Sequence, residues 1–106
     1  MKLRYSPEAR ADLRELRRYI VKVLGNPTAA ERIAGNVIRD CSALKQFPKL
    51  GMRLSEKTGE STDLRFLISG NYIAFYRIAD GCISVSRILD GRSNYLRILL
   101  SDKYET

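Results

Sequence analysis

Apolar residues recur at spacings of three and four along the first half of the chain and at alternate positions along much of the second. Ala9, Leu13, Leu16, Ile20 and Val23 make one stripe, which predicts an amphipathic helix. Its start is signalled by Ser6-Pro7-Glu8: a hydroxyl that can accept from an orphan backbone N–H, a proline suited to the first helical position, and an acid at the positive end of the dipole. Gly25-Asn26-Pro27 ends it. Thr28-Ala29-Ala30-Glu31 has capping-box spacing for a second helix carrying Ile33, Ala34, Val37, Ile38, Cys41 and Leu44, which Phe47-Pro48 closes. Each helix has one greasy face and the turn between them is short, so an antiparallel hairpin that needs a shared floor is expected.

Three strand-like runs supply that floor: Leu64 to Ile68, Tyr72 to Ala79 and Cys82 to Leu89. Asp80-Gly81 between the last two is a strong hairpin signal, and Ser69-Gly70-Asn71 separates the first two. Alternation places Leu64, Phe66, Ile68, Ile73, Phe75, Ile83 and Val85 toward the helices and leaves Arg65, Tyr72, Tyr76, Ser84 and Ser86 on an open face. By the same parity Arg87 falls on the apolar side, which calls for a bulge or a paired carboxylate. Residues 48–62 read as an exposed loop, and 92–106 as either a short helix or an extended tail. The fold class is thus α+β: a single domain over 1–106 with an N-terminal strand and a two-helix antiparallel hairpin packed on one face of a small antiparallel sheet.

At 106 residues and 12.1 kDa the chain has room for one core. No apolar run reaches the length needed to cross a bilayer, and Met1-Lys2-Leu3-Arg4-Tyr5 lacks the apolar stretch of a signal peptide, so a cytoplasmic location is expected. Cys41 and Cys82 stand far apart without metal-ligand spacing and there is no histidine, so both read as small core residues. No metal or cofactor is expected. The missing histidines also remove the usual neutral-pH base, leaving Lys, Tyr, Asp or Glu for any proton transfer.

The net charge of +7 attracts a polyanion or an acidic protein segment from a distance. Residues 1–50 carry eleven Lys or Arg against five Asp or Glu, whereas residues 51–106 carry eight against seven, so the field is strongest on the helical half. There Arg10, Arg14, Arg17, Arg18 and Lys22 lie opposite the leucines. Such a stripe can track phosphates, or it can be a solvated face partly neutralised by Asp12 and Glu15. Lys45, Lys49, Arg53 and Lys57 add charge near the loop or are plain surface residues. Arg65, Tyr72, Tyr76, Arg87, Arg92 and Tyr95 form the second cluster. Guanidinium groups there can hold a phosphate while a tyrosine stacks on a base or moves a proton, although strands also carry such residues for structural reasons.

The order of parts narrows the choice. Lys2-Leu3-Arg4-Tyr5-Ser6-Pro7-Glu8-Ala9 leads into a helix, followed by Phe47-Pro48, Leu64-Arg65, Ser69-Gly70-Asn71-Tyr72, Tyr76-Arg77-Ile78 and Arg87-Ile88-Leu89-Asp90-Gly91-Arg92. Nearly the whole chain resembles the RelE/ParE superfamily of toxins. The resemblance implies a bacterial growth inhibitor of a type II toxin–antitoxin pair, neutralised by a cognate acidic antitoxin in a hetero-oligomer. RelE-like members are metal-independent, ribosome-dependent endoribonucleases that cut mRNA, whereas ParE-like members poison DNA gyrase; a family member that only binds its antitoxin is a third reading. Under the first, Arg65, Arg87, Arg92 and Tyr95 are the catalytic candidates, with Arg10, Arg14, Arg17, Lys49, Arg53 and Lys57 binding nucleic acid. Two departures count against nucleolysis: Asp90 stands where many relatives have histidine, and Tyr72-Ile73 where nucleases carry an arginine.

Overall fold

The computed structural model describes the backbone of residues 1–104 and the side chains of residues 1–99. Strand β1 (Lys2–Tyr5) leads into helices α1 (Pro7–Leu24) and α2 (Pro27–Ser42), and a single 3₁₀ turn, Ala43–Lys45, extends α2 toward Phe47. Then come β2 (Met52–Arg53), α3 (Leu54–Thr58), β3 (Arg65–Ser69), β4 (Tyr72–Ala79), β5 (Cys82–Asp90) and α4 (Tyr95–Tyr104). The C-terminal segment is therefore helical through residue 104; residues 105 and 106 lie outside the described residues.

Local chemistry accounts for the helix ends. Ser6 Oγ accepts from the Ala9 N–H at 3.0 Å with Pro7 at the first position, and Gly25 closes α1 in the left-handed region at φ +61°. Asn26, not Thr28, caps α2, because its side chain accepts from the Ala29 N–H at 3.0 Å and Pro27 takes the first helical position. The two helices therefore meet across only two residues. Ala9, Leu13, Leu16 and Ile20 are buried against Ala30, Ala34, Val37 and Cys41, while Val23 at the tip of the hairpin is 60% exposed, beyond the end of the shared core.

The sheet has five strands in the order β1-β5-β4-β3-β2. All neighbours are antiparallel except β1, which pairs parallel with β5 in the register Leu3↔Ile83 and Tyr5↔Val85. Asp80 at φ +53° and Gly81 at φ +70° make the tight turn between β4 and β5, the backbone that Asp-Gly favours. A bulge interrupts that pair: Tyr76 faces Val85 and Phe75 faces Arg87, so Ser86 is the extra residue. It shifts parity and brings Ile88, rather than Arg87, into the core beneath the hairpin.

The open polar face expected from alternation does not exist on β3 and β4, where the assignment of faces is reversed. Ala74 and Tyr76 lie with Ile83, Val85 and Ile88 under α1 and α2, and Tyr76 is fully buried. Ile73, Phe75, Phe66, Leu64 and Leu89 turn to the opposite side, where Leu54 of α3 and Tyr95, Leu96, Ile98 and Leu99 of α4 cover them. Only Ile83 and Val85 face the hairpin as expected, and Ile68 is 56% exposed. The physical reason is that both faces of mid-β4 are buried, so apolar alternation carries no sign there. Residues 48–62, expected as a loop, hold β2 and α3 and plant Leu54 in this second core.

Candidate functional site

Asp12 lies one position before the buried Leu13 on α1, which aims its carboxylate at the bulge of β5. Both of its oxygens are used. Arg87 donates to it through Nε at 2.8 Å and Nη2 at 3.0 Å, and the Ile88 N–H adds a third bond at 2.9 Å. The two side chains are 14% and 21% exposed, so the pair is largely shielded from solvent. Parity required either a bulge or a carboxylate for Arg87, and both are present. Asp12 therefore serves Arg87 and not the basic stripe. Its one clue in the sequence is an acid at the margin of an apolar stripe.

Arg65 is committed elsewhere. Its Nη2 donates to the backbone carbonyls of Gly51 at 2.7 Å and Lys49 at 3.3 Å. Tyr76 fixes the same turn, its hydroxyl donating to the Pro48 carbonyl at 2.8 Å and accepting from the Gly51 N–H at 3.0 Å. A Cβ on Gly51 would sit 2.5 Å from the Phe66 carbonyl oxygen and 2.7 Å from the Tyr76 hydroxyl, so this close approach requires glycine. A tyrosine anchored in this way cannot stack on a base.

Arg92 pairs with Asp90 two residues before it, at 3.1 Å through Nε and 2.9 Å through Nη2, while Asp90 also accepts the Arg92 N–H at 2.8 Å. The side-chain bond from Arg92 holds the Asp90 carboxyl below its usual range, and Asp90 in turn raises Arg92. Tyr72 lies in a hollow between α1 and the end of β5, with Tyr19 and Asp90; burial first, then Asp90, pushes its phenol up. Neither change prepares a base for neutral pH. Tyr95 opens α4 and packs on Phe75 at 5.6 Å between ring centroids, with the Lys57 ammonium 5.8 Å from its ring and 5.0 Å from that of Phe66.

Arg65, Arg87, Arg92 and Tyr95 thus hold four different parts of the chain. Of these four only Arg87 lines a cleft of about 860 Å³ whose walls include Glu8, Asp63, Arg77, Ser86 and Leu96. Of the residues expected to bind nucleic acid, Arg10 and Arg14 are exposed on α1, and Arg17 lies 3.4 Å from Glu31. Glu15 takes Arg18 instead, at 2.6 Å. Arg53 pairs with Glu56, Lys49 is exposed with its carbonyl held by Arg65, and Lys57 is the lysine over the two rings. Cys41 is fully buried and its thiol is pushed up to about 11, chiefly by burial, which makes it inert at neutral pH. No helix is long and apolar enough to cross a membrane among the described residues.

Known proteins resemble this architecture. A chain of the structure described as the chromosomal ParDE toxin–antitoxin system from P. aeruginosa superposes with a TM-score of 0.72 at 24% identity, covering 85% of this chain and 95% of that one. A chain of the RelBE2 toxin–antitoxin complex from Mycobacterium tuberculosis superposes with a TM-score of 0.62, also at 24% identity, over 84% and 95% of the two chains. Both likenesses establish the fold. Among curated proteins none matches the chain. The sequence pattern of the ParE toxin of the type II toxin–antitoxin system parDE matches residues 3–95, so the chain belongs to the ParE toxin family and is the toxin component of such a system.

Proposed function

We propose that this toxin arrests growth by binding rather than by catalysis, with DNA gyrase as its target, and that a cognate acidic antitoxin neutralises it by covering its basic surface. The observation that carries the non-enzymatic reading is the Asp12–Arg87 pair. A nuclease of this type needs guanidinium groups available to stabilise charge that builds on a phosphate during transfer. Arg87 already has a carboxylate seated on both donating nitrogens of the pair, and releasing it would leave a shielded Asp12 without its partner. Arg65 has Nη2 engaged by two backbone carbonyls, and its Nε is buried. With no histidine in the chain and Tyr95 packed on Phe75, no group among the described residues is set up as a base for the ribose hydroxyl.

The net charge of +7 supports an acidic antitoxin, and the family's toxins belong to a toxin–antitoxin system. Inducing the chain in a bacterium and following messages and DNA in parallel tests the target. Intact messages with accumulating cleaved DNA–gyrase complexes are the expected result. New 5′ ends on translated messages without such complexes would overturn it and restore the ribosome-dependent nuclease.

A further inference from the structure

The sheet face turned away from the helical hairpin carries a row of donors, of which only Ser84 was expected on an open face. The registers Arg4↔Ser84 and Ser84↔Arg77 set these three residues side by side across β1, β5 and β4. They share the face opposite Leu3, Tyr5, Tyr76, Ile78, Ile83 and Val85, all of which belong to the core under α1 and α2. Arg4 Nε already leans onto the Ser84 hydroxyl at 3.4 Å. The next row, Lys2, Cys82 and Ala79, follows about 7 Å along the strands. Lys2, Arg4 and Arg77 are exposed, and Ser84 is half-buried between them.

We propose that this row is a binding site for the phosphate backbone of a nucleic acid. Arg4 and Arg77 stand two strands apart, about 10 Å between backbones, so their side chains reach inward over Ser84 from opposite sides. Donors converging from three strands suit the several acceptor oxygens of a tetrahedral phosphate. Lys2 is placed for the next phosphate along the same backbone. The floor is made of Cys82, Ser84 and Ala79, so it offers no aromatic platform for an unstacked base. The site therefore reads phosphate and not sequence. Arg77 now pairs with Asp63 at 2.7 Å, but the two side chains are 47% and 73% exposed, and a pair so exposed yields readily to a polyanion.

This inference does not depend on the cellular target and is tested on the purified chain with a short DNA duplex of arbitrary sequence. The binding constant is measured against salt for the native chain, for Arg4→Ala/Arg77→Ala, and for Arg32→Ala/Arg39→Ala, which removes the same charge from α2. Losing two phosphate contacts flattens the slope of log K against log salt by about 1.8 in the first variant; the second keeps the native slope. Ser84→Ala, which changes no charge, weakens duplex binding about fivefold. Circular dichroism confirms that each variant is folded. Equal changes in slope for the two double variants would overturn the site, since net charge alone would then explain binding. So would a duplex affinity insensitive to Arg4 and Arg77 alongside binding of poly-glutamate that requires them, which would make the row a contact for an acidic protein, or inorganic phosphate binding as tightly as the duplex.

Discussion

The carboxylate of Asp12 on the first helix grips the guanidinium of Arg87 on the last strand with two bonds, 2.8 and 3.0 Å long, and holds the neighbouring Ile88 N–H as well. One side chain thus fixes the hairpin to the sheet at the bulge. Because the pair is mostly shielded, Asp12→Ala leaves a charged group and a backbone donor without their acceptor. It should cost about 2–4 kcal/mol in urea unfolding. Asp12→Ala combined with Arg87→Leu should cost less than the two single changes added together, and simple additivity would show that the pair is not coupled.

The turn before β2 depends on one hydroxyl. Tyr76→Phe keeps the ring in the core but removes the group that bonds the Pro48 carbonyl and the Gly51 N–H, so a loss of about 1–3 kcal/mol is expected. Gly51→Ala should be worse, because backbone as well as the tyrosine hydroxyl stands in the way of its Cβ. A thermal melt of either variant that matches the native chain would contradict this.

Acid should act on the turn after β5. The folded-state pKa of Asp90 is lowered, so the Arg92 contact stabilises above the ordinary carboxylate pKa of about 4, and that contribution disappears as pH falls through the lower folded value. The stability gap between the native chain and Arg92→Ala should be small at neutral pH, given how exposed the pair is, and should close as pH falls below the ordinary carboxylate range. A gap that widens in acid would have the wrong sign.

The two thiols should separate cleanly. Cys82 is half-exposed on the outer face and Cys41 is fully buried. A thiol reagent should label one site per folded chain and the second only with unfolding. Prompt labelling of Cys41 in native buffer would mean that the hairpin opens easily.

The helices and the last hairpin were legible because their signals are local: Ser6-Pro7 caps one helix, Gly25 stops it, and Asp80-Gly81 forces the turn. What stayed hidden depends on residues far apart in sequence. Phe75 and Tyr76 are both buried, each by a different layer, so nothing in β4 itself tells which of them meets the hairpin. The decisive contacts are the Pro48 and Gly51 backbone for Tyr76, and α4 for Phe75. Arg87 was visible as a misplaced charge, but its remedy lies 75 positions away. The parallel pairing of β1 with β5, which lines up Arg4 with Ser84, is equally non-local and carries no turn signal.

The most direct test of action by binding is a supercoiling assay with purified gyrase, relaxed plasmid and ATP, to which the purified toxin is added with and without antitoxin. The predicted result is inhibition with trapped cleavage products that the antitoxin reverses. Undiminished supercoiling at saturating toxin, from a preparation that still arrests growth and cuts ribosome-bound message, would contradict it.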